Sequence, residues 1–206
     1  MNKKTSEEII EILKEVIPNR EPELNFNNSF ELVCAVLLSA QTTDKRVNIV
    51  TEELFKRYPT PKALSEAAYS DVYNIIVSLG LAKNKANNLI NLGKAIYYDF
   101  NNEVPNTLEE LMKLPGVGRK TALVVLALAF NIPAIPVDTH LHRMAIRLGY
   151  INSKETVLDA EKSYMKYIPR DEWIDAHHLF LLFGRYHCKS INPKCDECKL
   201  IAYCKK

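Results

Sequence analysis

Leu114-Pro115-Gly116-Val117-Gly118-Arg119-Lys120-Thr121 is the stretch of this chain that decides its fold. Before it, Thr107 and Glu110 have the spacing of a capping box that opens a short helix. After it, residues 121–130 (TALVVLALAF) are too apolar for a surface segment, and their alanine and leucine content favours a buried helix. The sequence therefore predicts a short helix, a tight glycine turn and a buried helix.

The two glycines of this turn, Gly116 and Gly118, can take left-handed backbone angles and leave room for an approaching group. The turn would then direct its N–H groups outward at the positive end of the following helix, where anions such as phosphate bind. Arg119 and Lys120 add positive charge to that same end, an unfavourable arrangement that suggests a function. An ordinary corner between two helices is the alternative from the turn alone.

The composition is that of a soluble globular protein. The chain has 206 residues, of which 47% are hydrophobic and 25% are charged, and this length can form one large domain or two small lobes. The formal net charge is only +2, so a nucleic-acid-binding face would require local clustering of basic residues. The N-terminus has no signal-peptide pattern, and no apolar run is long enough to span a membrane, so we expect a cytoplasmic protein.

Helical signals recur along the chain, and no segment alternates in the manner of a strand. Thr5–Glu8 has the spacing of a capping box and predicts an N-terminal helix. Residues 30–40 would carry apolar side chains on nearly every face of a helix, so they are predicted to lie in a core. Ser70 is predicted to cap a short helix that Gly80 ends, followed by a loop over residues 81–85. The expected fold class is all-α.

Four of the five cysteines cluster near the C-terminus, at Cys188, Cys195, Cys198 and Cys204. Four thiolates in so short a span can hold one metal centre, and both Zn²⁺ and an iron–sulfur cluster accept four cysteines. The cysteine spacing is compatible with either Zn²⁺ or an iron–sulfur cluster. Disulfide bonds are the weaker alternative in a reducing compartment. Lys189 and Lys194 lie inside the first cysteine loop, which would present them to phosphates.

Lys120 and Asp138 together suggest a chemistry. Lys120 falls in the first turn of the predicted buried helix, where partial desolvation and the positive helix end favour a neutral, nucleophilic amine. A surface lysine that contacts phosphate is the simpler interpretation, and Asp138 equally fits a helix N-cap. As a pair, an amine and a carboxylate suit displacement at a sugar C1′, where positive charge develops.

Taken in order, the glycine turn, Lys120, residues 137–140 (VDTH) and the cysteine spacing resemble the endonuclease III family. These are helix–hairpin–helix DNA glycosylases that remove oxidised pyrimidines and cleave the abasic strand. The resemblance covers nearly the whole chain. It implies an all-α protein with one lobe over 21–132, containing the helix–hairpin–helix at about 107–130, and a second lobe over 1–20 and 133–206. The DNA would bind between the lobes.

The same resemblance implies a [4Fe-4S] cluster rather than zinc on the four cysteines. Lys120 would attack C1′ of the flipped nucleotide, and Asp138 would stabilise charge and move protons. Gln41 and Leu81 match the residues that fill the gap left in the base stack. The full set of implied DNA contacts is Gln41, Leu81, Gly116, Gly118, Arg119, Thr121, His140, Lys189 and Lys194. The implied partner is double-stranded DNA with a damaged pyrimidine or an abasic site, bound by a monomer in the cytoplasm at the nucleoid.

Two other functions fit parts of this pattern. A monofunctional relative that excises adenine or mismatched thymine would share the fold but lack a lysine at position 120. A non-catalytic helix–hairpin–helix DNA-binding protein with a structural metal would need neither Lys120 nor Asp138. Borohydride trapping on abasic DNA discriminates among the three, because only the bifunctional enzyme forms a reducible imine.

Overall fold

The computed structural model describes residues 1–19 and 21–205, and within these ranges the chain is helical and contains no β-strand. The all-α fold class is therefore confirmed. The helices of the first half are α1 (Lys3–Val16), α2 (Ser29–Leu38), α3 (Asp44–Arg57), α4 (Pro61–Ser65), α5 (Tyr69–Ile76) and α6 (Ala82–Asp99). The remaining helices are α7 (Leu108–Leu111), α8 (Arg119–Phe130), α9 (Thr139–Arg147), α10 (Val157–Tyr167) and α11 (Trp173–Tyr186).

The chain divides into two compact units. One unit is Pro22–Asn131, and the other combines Met1–Glu21 with Ile132–Lys206. Among the described helices, none combines the length and the apolar character that a membrane crossing requires.

The unit Pro22–Asn131 is built on α2. Of the predicted core segment 30–40, residues 30–38 are buried, whereas Ser39 is half-buried and Ala40 is exposed beyond the end of the helix. The helix packs against α3, α6 and α8. Asn28 starts the helix, because its side chain accepts a hydrogen bond from the Glu31 amide at 2.9 Å. Cys34 lies in this core with no exposed surface, and burial raises the pKa of its thiol.

The second unit has a core of its own. Ile9, Ile10 and Leu13 of α1 pack in one cluster with apolar residues of α9, α10 and α11. Two polar contacts are buried in it: Ser6 Oγ lies 2.6 Å from the Tyr150 hydroxyl, and the Tyr164 hydroxyl donates to the Leu141 carbonyl at 2.9 Å. These bonds satisfy the hydroxyl groups, so the aromatic side chains can be buried without an unpaired polar atom.

Two predicted helix starts are wrong. Thr5 lies inside α1, because Asn2 precedes the helix and its side chain accepts from the Thr5 amide at 2.9 Å. Ser70 is the second residue of α5, which Ala68 precedes with no side-chain cap. Val72 and Ile76 are the buried residues of α5, and because they are four positions apart they lie on one face of the helix.

The predicted loop over residues 81–85 is also wrong, because α6 begins at Ala82. Lysine and asparagine side chains are mostly exposed in folded proteins. However, Ala82 and Lys85 are buried, and the Lys85 side chain is bonded to the neighbouring loop. Gly80 likewise does not end α5, whose last residue is Ile76.

Candidate functional site

The predicted helix, glycine turn and buried helix are confirmed as α7, the turn before Arg119 and α8. Thr107 starts α7 by accepting from the Glu110 amide at 3.3 Å, and its hydroxyl donates to the Glu110 carboxylate at 2.8 Å. Leu111, Leu114 and Val117 are buried. Because these apolar side chains face the core, the polar backbone of the turn faces outward.

The two glycines of the turn have different backbone conformations. Gly116 has φ +78°, and a Cβ there would lie 2.9 Å from both Leu37 Cδ1 and Asn88 Nδ2. Gly118 has φ −89° and an extended backbone, and a Cβ there would have no heavy atom within 4 Å. The expectation of a left-handed conformation is therefore confirmed for Gly116 and wrong for Gly118, which instead precedes α8 as its N-cap.

The N-terminus of α8 carries positive charge and no capping side chain. Its N-cap makes no side-chain hydrogen bond, and its first turn contains no acidic residue. Arg119 and Lys120 are exposed, and Thr121 is half-buried. The expected partial burial of Lys120 is wrong, because the residue is exposed in the first turn of α8 even though Leu123, three residues further on, is buried. The helix end thus presents its first-turn amides and a lysine amine to solvent.

Asp138 is the N-cap of α9, as the simpler interpretation predicts. Its Oδ1 accepts from the His140 and Leu141 amides, both at 2.8 Å. The side chain is half-buried. Because both amides bond the same oxygen, the carboxylate is held in one orientation. His140 is half-buried, and its Nδ1 lies 3.2 Å from Arg143 Nη2.

Two arginines of α9 attach the cysteine-rich tail to the unit. Arg143 Nε donates to the Cys188 carbonyl at 3.0 Å, and Arg147 Nη1 lies 3.1 Å from Cys188 Sγ. Arg147 also donates to the Lys189 carbonyl at 2.8 Å. These two residues were missed from the sequence, because they look like ordinary surface charges on a helix; their spacing of four residues, which puts them on one face, is the signal that could have identified them.

The four C-terminal cysteines lie close enough to influence one another electrostatically. Burial raises the pKa of Cys198, a backbone hydrogen bond from Leu200 opposes this shift, and the nearness of Cys188, Cys204 and Cys195 adds to it. In residues 1–19 and 21–205, no group of three or more His, Cys, Asp or Glu side chains is positioned to hold a single metal ion. Lys189 and Lys194 of this loop are exposed.

Gln41 and Leu81 lie in adjacent loops of the unit Pro22–Asn131. Both are exposed, and both have left-handed backbone angles, with φ +56° and +62°. A Cβ on Gly80 would lie 3.9 Å from the Gln41 carbonyl oxygen, so the loops are in ordinary contact. A non-glycine residue in this conformation costs about 1–2 kcal/mol, so the surroundings must hold both residues in place.

A cavity of about 370 Å³ is lined by Thr43, Lys45, Arg46, Ile49 and Ser78. Lys45 and Arg46 are exposed residues in the first turn of α3, and no feature of the sequence distinguishes them from other surface charges. Lys45 and Arg46 add positive charge near the Gln41 loop, on the same unit as Lys120.

Known DNA repair proteins are similar to this chain over most of its length. The family model of the HhH-GPD superfamily of base excision DNA repair proteins matches residues 34–170. Endonuclease III of Bacillus subtilis (strain 168) is 45% identical over 206 residues, which cover 100% of this chain and 94% of that protein. Endonuclease III of Escherichia coli (strain K12) is 41% identical over 204 residues, covering 99% of this chain and 96% of that protein.

Solved structures of DNA repair proteins are also similar to this chain. A trapped endonuclease III–DNA covalent intermediate has a TM-score of 0.96 and 44% identity, covering 100% of this chain and 96% of that one. A thermostable thymine-DNA glycosylase shares the fold, with a TM-score of 0.87 at 20% identity, covering 98% and 96% of the two chains. The chain therefore belongs to the HhH-GPD superfamily of base excision DNA repair proteins, and within it to the endonuclease III family.

Proposed function

We propose that this chain is a bifunctional DNA glycosylase and abasic-site lyase that excises oxidised pyrimidines and cleaves the strand 3′ to the abasic site. The proposal rests on the position of Lys120. Its amine is exposed in the first turn of α8, directly after the glycine turn and beside backbone amides that no side chain caps. A phosphate bound at those amides would place the adjoining sugar within reach of the lysine.

Lys120 supplies the nucleophile in this proposal. The lone pair of the deprotonated Nζ forms a bond to C1′ while the bond between C1′ and the base breaks, and the base leaves with that electron pair and takes up a proton. Loss of a proton from the nitrogen and opening of the sugar ring at O4′ then give an imine. Removal of a C2′ proton finally expels the 3′ phosphate oxygen by β-elimination.

Asp138 supplies the negative charge. The C1′ centre becomes positive as the base departs, and a fixed carboxylate stabilises that charge. The bonds from the His140 and Leu141 amides to Oδ1 hold the carboxylate, and Oδ2 of the same group is the atom that we assign to charge stabilisation and proton transfer.

The remaining assignments concern DNA contacts. Gln41 and Leu81 fill the gap left by the flipped nucleotide, since an exposed polar residue and an exposed apolar residue on neighbouring loops suit that task. The other contacts that we assign to the DNA are Gly116, Gly118, Arg119, Thr121, His140, Lys189 and Lys194. Phosphate contacts of this kind make the affinity fall as salt rises.

The test is reduction with borohydride in the presence of a duplex that contains an abasic site or thymine glycol. The intact protein is expected to form a covalent protein–DNA complex, because borohydride reduces the imine to a stable amine. Absence of this complex under conditions where the protein binds the duplex would exclude the lyase.

Substitution of the two glycines is expected to have opposite effects on stability. Gly116→Ala forces a Cβ into Leu37 and Asn88 at a left-handed φ, so it should lower the free energy of unfolding by about 1–3 kcal/mol. Gly118→Ser introduces a capping hydroxyl at a residue that already has N-cap angles, so it should raise the free energy of unfolding by a few tenths of a kcal/mol. Thermal unfolding measures both changes.

The same Gly118→Ser variant tests the phosphate site. The serine hydroxyl bonds an amide that a phosphate would otherwise use, so affinity for abasic duplex is expected to fall about tenfold although the fold is more stable. Undiminished affinity at equal salt concentration would show that the turn holds no phosphate.

We further propose that Cys188, Cys195, Cys198 and Cys204 hold a [4Fe-4S] cluster. The donor set fits, because four thiolates are the ligands of such clusters and the four sulfurs lie within electrostatic range of one another. Arg147 lies 3.1 Å from Cys188 Sγ and offsets part of the ligand charge. The cluster would order the tail that carries Lys189 and Lys194.

The cluster has a direct spectroscopic test. The purified protein is expected to be yellow-brown and to contain iron and acid-labile sulfide in equal amounts, and the colour should bleach on oxidation. Cys198→Ser should lose the colour, whereas Cys34→Ala should keep it because Cys34 is buried in the core of the other unit. A colourless protein with stoichiometric zinc would overturn the assignment.

A further inference from the structure

Lys85 is a buried lysine that the catalytic proposal does not use. It lies near the start of α6 with only 4% of its surface exposed. Its Nζ donates to the Ala40 carbonyl at 2.8 Å and to Thr42 Oγ1 at 3.0 Å. Burial lowers the pKa of this ammonium group. A lysine is costly to bury, so the two directed bonds are the feature that an apolar side chain of the same length would lack.

The two acceptors of Lys85 flank Gln41 on either side. Gln41 has φ +56°, and the bonds therefore restrain the residues immediately before and after a strained position. The carbonyl of Ala40 and the hydroxyl of Thr42 accept from the same Nζ, so the chain on both sides of Gln41 is tied to one point. Lys85 thus limits the directions in which the Gln41 side chain can project.

Lys85 is also bonded to the second loop. Its backbone N–H donates to the Leu81 carbonyl at 3.0 Å, in the first turn of the helix that Leu81 precedes with φ +62°. The side chain of Lys85 therefore holds the Gln41 loop, and its backbone holds the Leu81 loop. One residue connects the two loops whose tips are proposed to enter the base stack.

We propose that Lys85 is a positioning residue that sets the Gln41 and Leu81 loops relative to each other, so that both side chains enter the duplex together. This inference rests on the proposed function, in which Gln41 and Leu81 occupy the gap beside the flipped nucleotide. Lys85 itself does not touch the DNA in this proposal, since it acts through the loop backbone.

The variant that tests the proposal is Lys85→Met, which keeps an unbranched side chain as far as Cε and removes the ammonium group that donates both hydrogen bonds. Excision of thymine glycol from duplex DNA in a single turnover is expected to slow about ten- to a hundredfold, because misplaced insertion residues no longer stabilise the flipped state. The fluorescence change of 2-aminopurine placed beside the lesion should fall in parallel. Borohydride trapping on a single-stranded abasic oligonucleotide should be unchanged, since no stack has to be opened.

The controls separate positioning from stability. Lys94→Met removes an exposed lysine from the same helix and should leave all three measurements unchanged. Thr42→Val removes one of the two Lys85 acceptors, together with the long 3.4 Å bond from the Thr42 hydroxyl to the Ala40 carbonyl, and causes little change of shape. It should slow duplex excision several-fold, and this variant decides the question if Lys85→Met does not fold. Combined with Gln41→Ala, Lys85→Met should add less than its full single effect, because both act on one loop.

The outcomes are distinguishable. If Gln41→Ala and Leu81→Ala leave duplex excision and fluorescence unchanged, the insertion assignment in the proposed function is wrong. If those variants lose activity but Lys85→Met does not, the positioning role of Lys85 is overturned. An equal loss by Lys85→Met on duplex and single-stranded substrates would also overturn it, because that result indicates only a general loss of folded protein.

Discussion

Replacing Lys120 with alanine is expected to abolish the covalent complex that borohydride traps on abasic DNA. The amine is the atom that bonds C1′ in the proposed reaction, and alanine offers no substitute, so base excision should fall by about 10³-fold or more. Affinity for the duplex should fall only slightly, because a single exposed cation is lost, and the salt slope should change by about one unit. Gel analysis of the trapped complex and single-turnover kinetics measure the two effects.

The stability of Lys120→Ala is expected to be equal to or greater than that of the unchanged protein. Lys120 is exposed in the first turn of α8, where a positive charge opposes the helix dipole and alanine has a higher helix propensity. Loss of trapping therefore cannot be attributed to unfolding. Lys113→Ala, which removes another exposed lysine close to the turn, should retain full trapping. If Lys120→Ala still forms the complex, another amine is the nucleophile.

Replacing Asp138 with asparagine is expected to lower turnover by about 10²–10³-fold and to leave DNA binding intact. Asparagine caps a helix about as well as aspartate, so the bonds to the His140 and Leu141 amides should persist. The variant therefore removes the charge and keeps the local structure. Single-turnover excision and equilibrium binding to an uncleavable abasic analogue are the measurements.

Asp138→Ala provides the contrast, because it removes both the charge and the cap. It should lose a similar amount of turnover and, in addition, about 1 kcal/mol of the free energy of unfolding, or roughly 2–4 °C in Tm. If Asp138→Asn loses binding and turnover in equal measure, the residue serves only to start α9. If it loses neither, the carboxylate has no part in the reaction.

Local patterns predicted the parts of the fold that depend on neighbouring residues. The glycine turn and the apolar run over residues 121–130 predicted α8. They also predicted that a short helix and a tight turn precede it. Pattern alone also placed residues 30–40 in a core, which is correct for residues 30–38. In contrast, the capping-box pattern at Thr5 failed, because Asn2 stands three residues earlier and caps the helix instead. Several side chains can cap a helix, and packing chooses among them.

In the candidate site, too, local sequence patterns predicted some features, whereas others depend on contacts between distant residues. The sequence identified Lys120, Asp138 and the four cysteines as residues able to carry chemistry, and it indicated that Asp138 would begin a helix. It did not reveal that Arg143 and Arg147 would bond the backbone and sulfur of Cys188, more than forty residues away. Contacts at such separations are properties of the folded chain, and no periodicity or spacing encodes them.

The helical class, the glycine turn and the residues on which the proposed reaction depends can be read from the amino-acid order, because these follow from side-chain chemistry and short-range spacing. The folded chain was needed to show that Gly116 is held against Leu37 and Asn88 and that Lys85 is buried beneath the Gln41 loop. A glycine or a lysine has no fixed environment of its own. What packs against it comes from distant parts of the chain, and burial and directed hydrogen bonds then convert an ordinary residue into one that controls geometry.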